Sequence, residues 1–85
     1  MTSQDLRAQV AEKIARRTGA SLDVLRADTP FADLGLDSLA VLEIGFMLEE
    51  EFKIEFEGVN AQNLPRHVSD LTKLVEVHLE RLRTA

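Results

Sequence analysis

The 85-residue chain has no cysteine, tryptophan or tyrosine, and only two prolines and four glycines. Without cysteine there is neither a disulfide framework nor a thiolate metal site, so a chain this short must rely on compact local packing, which favours helices. Its two histidines, His67 and His78, lie too far apart for a local His-x-x-x-His pair, and no zinc is expected. Asp28, Asp33 and Asp37 are spaced by five and four, not at the alternating positions of an EF-hand loop, so no calcium is expected either. No apolar run approaches the ~18 residues that span a bilayer, and the first residues carry no basic region followed by an apolar stretch. Basic residues are the minority, 10 Lys and Arg against 15 Asp and Glu, and the net charge of -5 has the wrong sign for nucleic acid or an anionic membrane. The expectation is a soluble, cytoplasmic, monomeric protein with neither of those partners.

What is present is an ordinary globular balance, 45% hydrophobic and 29% charged, enough for one domain over residues 1–85. The acidity is concentrated. Residues 31–60 hold one basic and eight acidic side chains, a net -7, while the flanking thirds are each +1. A field of one sign steers a partner of the other, although a solvated acidic helix face accounts for the count on its own.

Leu6, Val10 and Ile14 recur every four positions between Thr2 and Thr18, with the charged residues elsewhere, which predicts an amphipathic helix capped by Thr2 or Ser3 and stopped by Gly19. Residues 20–36 have no sustained period and include Pro30 and Gly35. They read as a long loop with one helical turn at Leu22 to Leu25, pinned to the core by Leu22, Leu25, Phe31, Leu34 and Leu36. Asp37 can cap a second helix running to about Phe52. Its core stripe is Val41, Ile44, Leu48 and Phe52. A second stripe, Leu39, Leu42 and Phe46, must be partly exposed, because one helix of a small bundle cannot bury both faces. Gly45 within it suggests close packing or a local irregularity. Lys53 to Glu57 reads as an extended connector ended by Gly58, residues 60–66 as a short third helix anchored by Leu64, and Ser69 as the cap of a last helix with Leu71, Leu74, Val75, Leu79 and Leu82 on its apolar face. The fold class is all-α: a four-helix up-and-down bundle, three helices long and one short, with a long loop between helices 1 and 2.

Ser38 stands at the start of the most acidic helix, where free amide hydrogens and the positive dipole end favour a phosphate. An Asp-Ser pair before an apolar run is by itself explained as a helix start. The neighbouring residues add a further reading. Phe31 to Leu39, Phe-Ala-Asp-Leu-Gly-Leu-Asp-Ser-Leu, and the continuation through Leu42 and Glu43 to the Leu-Glu-Glu-Glu-Phe run ending at Phe52, resemble the acyl carrier proteins of fatty acid and polyketide synthesis. In that family Leu-Gly-x-Asp-Ser-Leu, here Leu34 to Leu39, opens the second helix, and its serine bears 4'-phosphopantetheine.

The resemblance implies that a phosphopantetheinyl transferase, using Mg2+ and coenzyme A, modifies Ser38, and that the arm's thiol then carries acyl groups as thioesters. The chain would be no enzyme and have no catalytic residue, the reactive sulfur belonging to the cofactor. It also implies docking to the transferase and to acyl-transferring, condensing or acyl-activating enzymes, with Asp37, Leu39, Leu42, Glu43, Phe46, Glu49 and Glu50 as the candidates by position. Asn60 to His67 holds no acid and includes Arg66, and Gly45 replaces a larger apolar residue, so a carrier for a specialised polyketide or lipid-modified product stands beside a fatty acid carrier. A serine hydrolase is disfavoured, since Leu36 and Ala40 occupy the glycine positions of a nucleophile elbow. The other rival is an acidic helical adaptor that binds through Leu39, Leu42 and Phe46 without a prosthetic group.

Overall fold

A computed structural model describes residues 3–56, 59–60 and 62–84. Four α-helices follow in order: α1 (Ser3–Thr18), α2 (Leu22–Arg26), α3 (Ser38–Phe52) and α4 (Val68–Thr84), with a 3-10 turn at Phe31–Leu34. Three are long and one short, and the described residues contain no strand. The short helix is α2, inside the long loop. Of residues 60–66, expected to be helical, the described ones, 60 and 62–66, are not: Asn63 Oδ1 accepts the Asn60 amide at 2.6 Å and Asn60 Oδ1 accepts the Gln62 amide at 2.9 Å. Asparagine offers the backbone this alternative to a helix, and Pro65 prevents a helix from continuing. The cap expected from Thr2 and the stop expected at Gly58 lie outside the described residues, and Ser3, the other cap candidate, falls within α1 itself.

The helices form where the apolar spacing puts one stripe inward. Leu6, Val10, Ala11 and Ile14 of α1, Val41, Ile44 and Leu48 of α3, and Val68, Leu71 and Val75 of α4 make one core, joined by Leu25, Phe31 and Ile54. Each large side chain so buried contributes about 1.5–3 kcal/mol over leaving it in water. α1 packs against α2, α3 and α4, and α3 against α4. Gly19 ends α1 at φ +78°, its amide donating to the Ala15 carbonyl at 2.8 Å. α3 ends without a glycine: Lys53 takes φ +58°, and its amide and that of Ile54 both donate to the Glu49 carbonyl.

Two sequence expectations for α4 are corrected. The helix begins at Val68, so Ser69 lies inside its first turn. The cap is supplied from a distance by Asp28, whose Oδ1 accepts the Ser69 amide at 3.0 Å. Asp70 works back in the other direction, its Oδ2 accepting the amides of Arg66 at 3.2 Å and His67 at 3.1 Å, the reciprocal half of a capping box. Leu82, placed on the apolar face, is 59% exposed. Near that end of α4, His78 is buried instead, its Nδ1 2.7 Å from the Leu74 carbonyl and its ring edge-on to Phe56 at 5.4 Å.

Candidate functional site

The loop before α3 is a sequence of enforced turns. Pro30 leads into the 3-10 turn, and Phe31 buries its ring in the core. Gly35 reverses the chain at φ +75°, a conformation that costs glycine no side-chain clash, and the Leu36 amide closes back onto the Phe31 carbonyl at 3.1 Å. Asp37 is then extended, and its Oδ1 accepts the Ala40 amide at 2.8 Å. That bond makes Asp37 the N-cap and fixes Ser38 as the first residue of α3, with its side chain in solvent. The amides of Ser38 and Leu39 have no intrahelical acceptor at this position, so the helix start presents N–H groups and its positive dipole end beside the hydroxyl.

Ser38 opens onto a groove of about 480 Å³ between the Phe31–Leu34 turn and the 62–67 segment. Phe31, Leu36, Val41 and Leu64 give it apolar walls, and Arg66 and His67 supply the basic side. Sequence reasoning missed these two as neighbours of Ser38, because no local period links them to it. The fold joins them through the Phe31 amide, which donates to the Arg66 carbonyl at 2.8 Å. The His67 ring is held by Asp70, Nδ1 to Oδ2 3.2 Å. Burial alone raises the Asp70 carboxyl pKa, but the His67 ring and the amides of Arg66 and His67 outweigh it and hold the group below its ordinary value. Among the described residues no hydrogen bond joins Ser38 to His67 or to Asp37. The described residues also contain no cluster of three potential metal ligands.

Along α3 the predicted docking residues separate into three environments. Leu39 and Phe46 are 64% and 62% exposed, and Glu43 and Glu50 are exposed beside them. Leu42 is half-buried and, with Val41, Gly45, Phe46 and Phe56, borders a smaller cavity of about 100 Å³. Glu49 is half-buried with its Oε2 accepting the Phe56 amide at 2.9 Å, which ties the connector to α3. Glu51, by contrast, pairs with Lys13 of α1 at 3.2 Å. Gly45 shows neither the close packing nor the irregularity its sequence position suggested: α3 runs unbroken, and a Cβ there would meet nothing nearer than the Phe56 ring at 3.9 Å.

Comparison with known proteins bears on this geometry. The family described as the phosphopantetheine attachment site matches residues 8–75. The chain is 35% identical over 80 residues to an acyl carrier protein of Exiguobacterium sibiricum, covering 93% of this chain and 100% of that one. It is 48% identical over 50 residues to a chloroplastic acyl carrier protein of Brassica campestris, 59% of this chain and 37% of that protein. A conidial pigment polyketide synthase of Pestalotiopsis fici shares 42% identity over 58 residues, 68% of this chain but 3% of the synthase. In three dimensions the chain resembles the crystal structure of an acyl carrier protein from Thermotoga maritima, with a TM-score of 0.76 at 28% identity, covering 94% of this chain and 93% of that one. Matched along most of its length, both to a family defined by its attached group and to a full-length bacterial carrier, the chain belongs to the acyl carrier proteins, which hold acyl groups on a phosphopantetheine arm.

Proposed function

We propose that Ser38 is the residue that bears the arm, and that the chain acts as one carrier unit, a cytoplasmic monomer presenting acyl intermediates of fatty acid, polyketide or related specialised biosynthesis. The observation that supports this is the exposed Ser38 hydroxyl at the first position of α3, open to the groove and flanked by free amides. The donor set suits a phosphodiester: helix-start N–H groups, one arginine, and apolar walls for an uncharged chain. A groove of about 480 Å³ is within the range of small-ligand sites.

When bound, the arm supplies a terminal thiol that carries acyl groups as thioesters. For attachment, the Ser38 oxygen bonds to the phosphorus of coenzyme A that bears the pantetheine, the bond to the nucleotide breaks, and the hydroxyl proton leaves. Asp37 gives Oδ1 to the Ala40 amide as the cap of α3; we assign the proton acceptor and the Mg2+ to a phosphopantetheinyl transferase. The chain itself does no chemistry. Its part is to fix the serine, through the Asp37 cap and the Gly35 reversal, and to offer a docking face of Asp37, Leu39, Leu42, Glu43, Phe46, Glu49 and Glu50. The transferase and the acyl-transferring, condensing or acyl-activating enzymes would meet that face by attraction between its acids and their basic patches, followed by apolar contact. Loading with a radiolabelled acyl group tests the carrier role. The label should stay with the folded protein and be released by neutral hydroxylamine, as a thioester is; a hydroxylamine-resistant label, or none on protein already bearing the arm, would contradict it.

A further inference from the structure

We propose that Arg66 binds the phosphodiester on Ser38 and seats the start of the arm in the groove beside α3. This rests on the reading that Ser38 bears the arm. The difficulty it resolves is electrostatic. The third of the chain that contains Ser38 has a net -7, Asp37 is its immediate neighbour, and modification adds another negative charge. The helix start offsets part of that, but the Ala40 amide is already taken by Asp37. Arg66 is the one groove-lining residue that is positive at every physiological pH.

Three details single it out. Its backbone is fixed at both ends, the carbonyl accepting the Phe31 amide at 2.8 Å and the amide donating to Asp70 at 3.2 Å, while the side chain remains exposed. The acid nearest in sequence, Asp70, is engaged by the His67 ring and two amides, and among the described residues Arg66 makes no ion pair. His67, the other basic residue of the groove, has its ring bound to Asp70. A guanidinium can meet a phosphate with two parallel N–H bonds, and an anchored backbone lowers the ordering cost of doing so. With the phosphate held there, half-buried Leu36 and Leu64 would be the apolar surface offered to the beginning of the pantetheine.

The test compares apo and phosphopantetheine-loaded protein for the parent, Arg66→Gln and Arg66→Lys, with loading verified by mass. In the parent, the Arg66 Nε–H resonance should move on loading, a measurement that needs no variant. Arg66→Gln should leave the unfolding constant of the apo form within about 2-fold and raise that of the loaded form by about 2- to 5-fold, the range of an exposed ion pair. Arg66→Lys should restore part of the difference, and salt should reduce it. An unmoved Nε–H resonance, with Arg66→Gln altering both forms equally, would overturn the role of Arg66 and leave Ser38 as the attachment site. No mass gain in any form would overturn both.

Discussion

Asp28 and Ser69, separated by 41 residues, share one carboxylate: Oδ1 accepts the Ser69 amide at 3.0 Å and Oδ2 accepts its hydroxyl at 2.7 Å. The bond closes the long loop onto the first turn of α4. Arg7 of α1 joins the same group, its guanidinium 3.7 Å from Asp28 and 3.0 Å from the Arg26 carbonyl. Three elements therefore meet at a residue that also holds φ +63°, a left-handed conformation in which aspartate is less strained than most side chains.

Asp28→Ala should destabilise the fold by about 1–2 kcal/mol, the scale of a lost helix cap. Burial by itself raises the Asp28 pKa, but Ser69, Arg7 and His67 outweigh it and depress the folded value. A depressed carboxylate contributes stability that is fully present above the unfolded pKa of about 3.9 and is lost as pH falls through the folded value. The gap between parent and variant in urea unfolding should be full at neutral pH and narrow below about pH 4. A gap that persists undiminished in acid would mean that the carboxylate charge is not the source.

The acids of α3 should not behave alike. Glu43 is exposed and among the described residues makes no hydrogen bond or ion pair, so Glu43→Lys should change stability by no more than about 0.5 kcal/mol while slowing modification at low salt. Glu49→Ala removes the acceptor of the Phe56 amide and should cost about 1 kcal/mol. Thermal unfolding and transferase kinetics at two salt concentrations separate the two effects. Equal modification rates for parent and Glu43→Lys at low salt would remove Glu43 from the docking face.

Phe46 and Leu48 are two residues apart and face opposite environments, one 62% exposed and the other fully buried. Leu48→Ala should cost about 2–5 kcal/mol. Phe46→Ala should cost under about 1 kcal/mol yet reduce transfer to a partner enzyme, because it removes apolar contact and little packing. Full transfer activity in Phe46→Ala would take the ring out of the interface.

Gly45→Ala should stabilise α3 by up to about 1 kcal/mol, since a Cβ has room there and glycine is the poorer helix former. Destabilisation in the same unfolding assay would show that the Phe56 side of the helix cannot take a methyl group.

The long helices were legible because their signals are local. Leu6, Val10 and Ile14, and Val41, Ile44 and Leu48, each repeat at helical spacing, and all six are buried. Asp37 as cap and Gly19 as stop follow from their own side chains, or the lack of one. What escaped was non-local or conditional. Ser69 looked like a cap because it precedes an apolar run, but the bond that matters comes from Asp28, across 41 residues. Lys53 ends α3 in a left-handed conformation that carries no glycine signal. The short helix expected at residues 60–66 rested on Leu64 as its anchor, yet the Asn60 and Asn63 side chains accept backbone amides there instead. At the candidate site, the position of Ser38 at the start of α3 and its Asp37 cap were readable from the sequence. The groove was not, because Arg66 and Leu64 reach it only through packing of the 62–67 segment against Phe31.

The most direct measurement is the intact mass of the parent and of Ser38→Ala after incubation with coenzyme A, Mg2+ and a broad-specificity phosphopantetheinyl transferase. The account predicts a gain of one phosphopantetheine in the parent and none in the variant, with both chains showing the same helical circular dichroism. An unmodified parent under conditions that load a control carrier, or a modified Ser38→Ala, would contradict it.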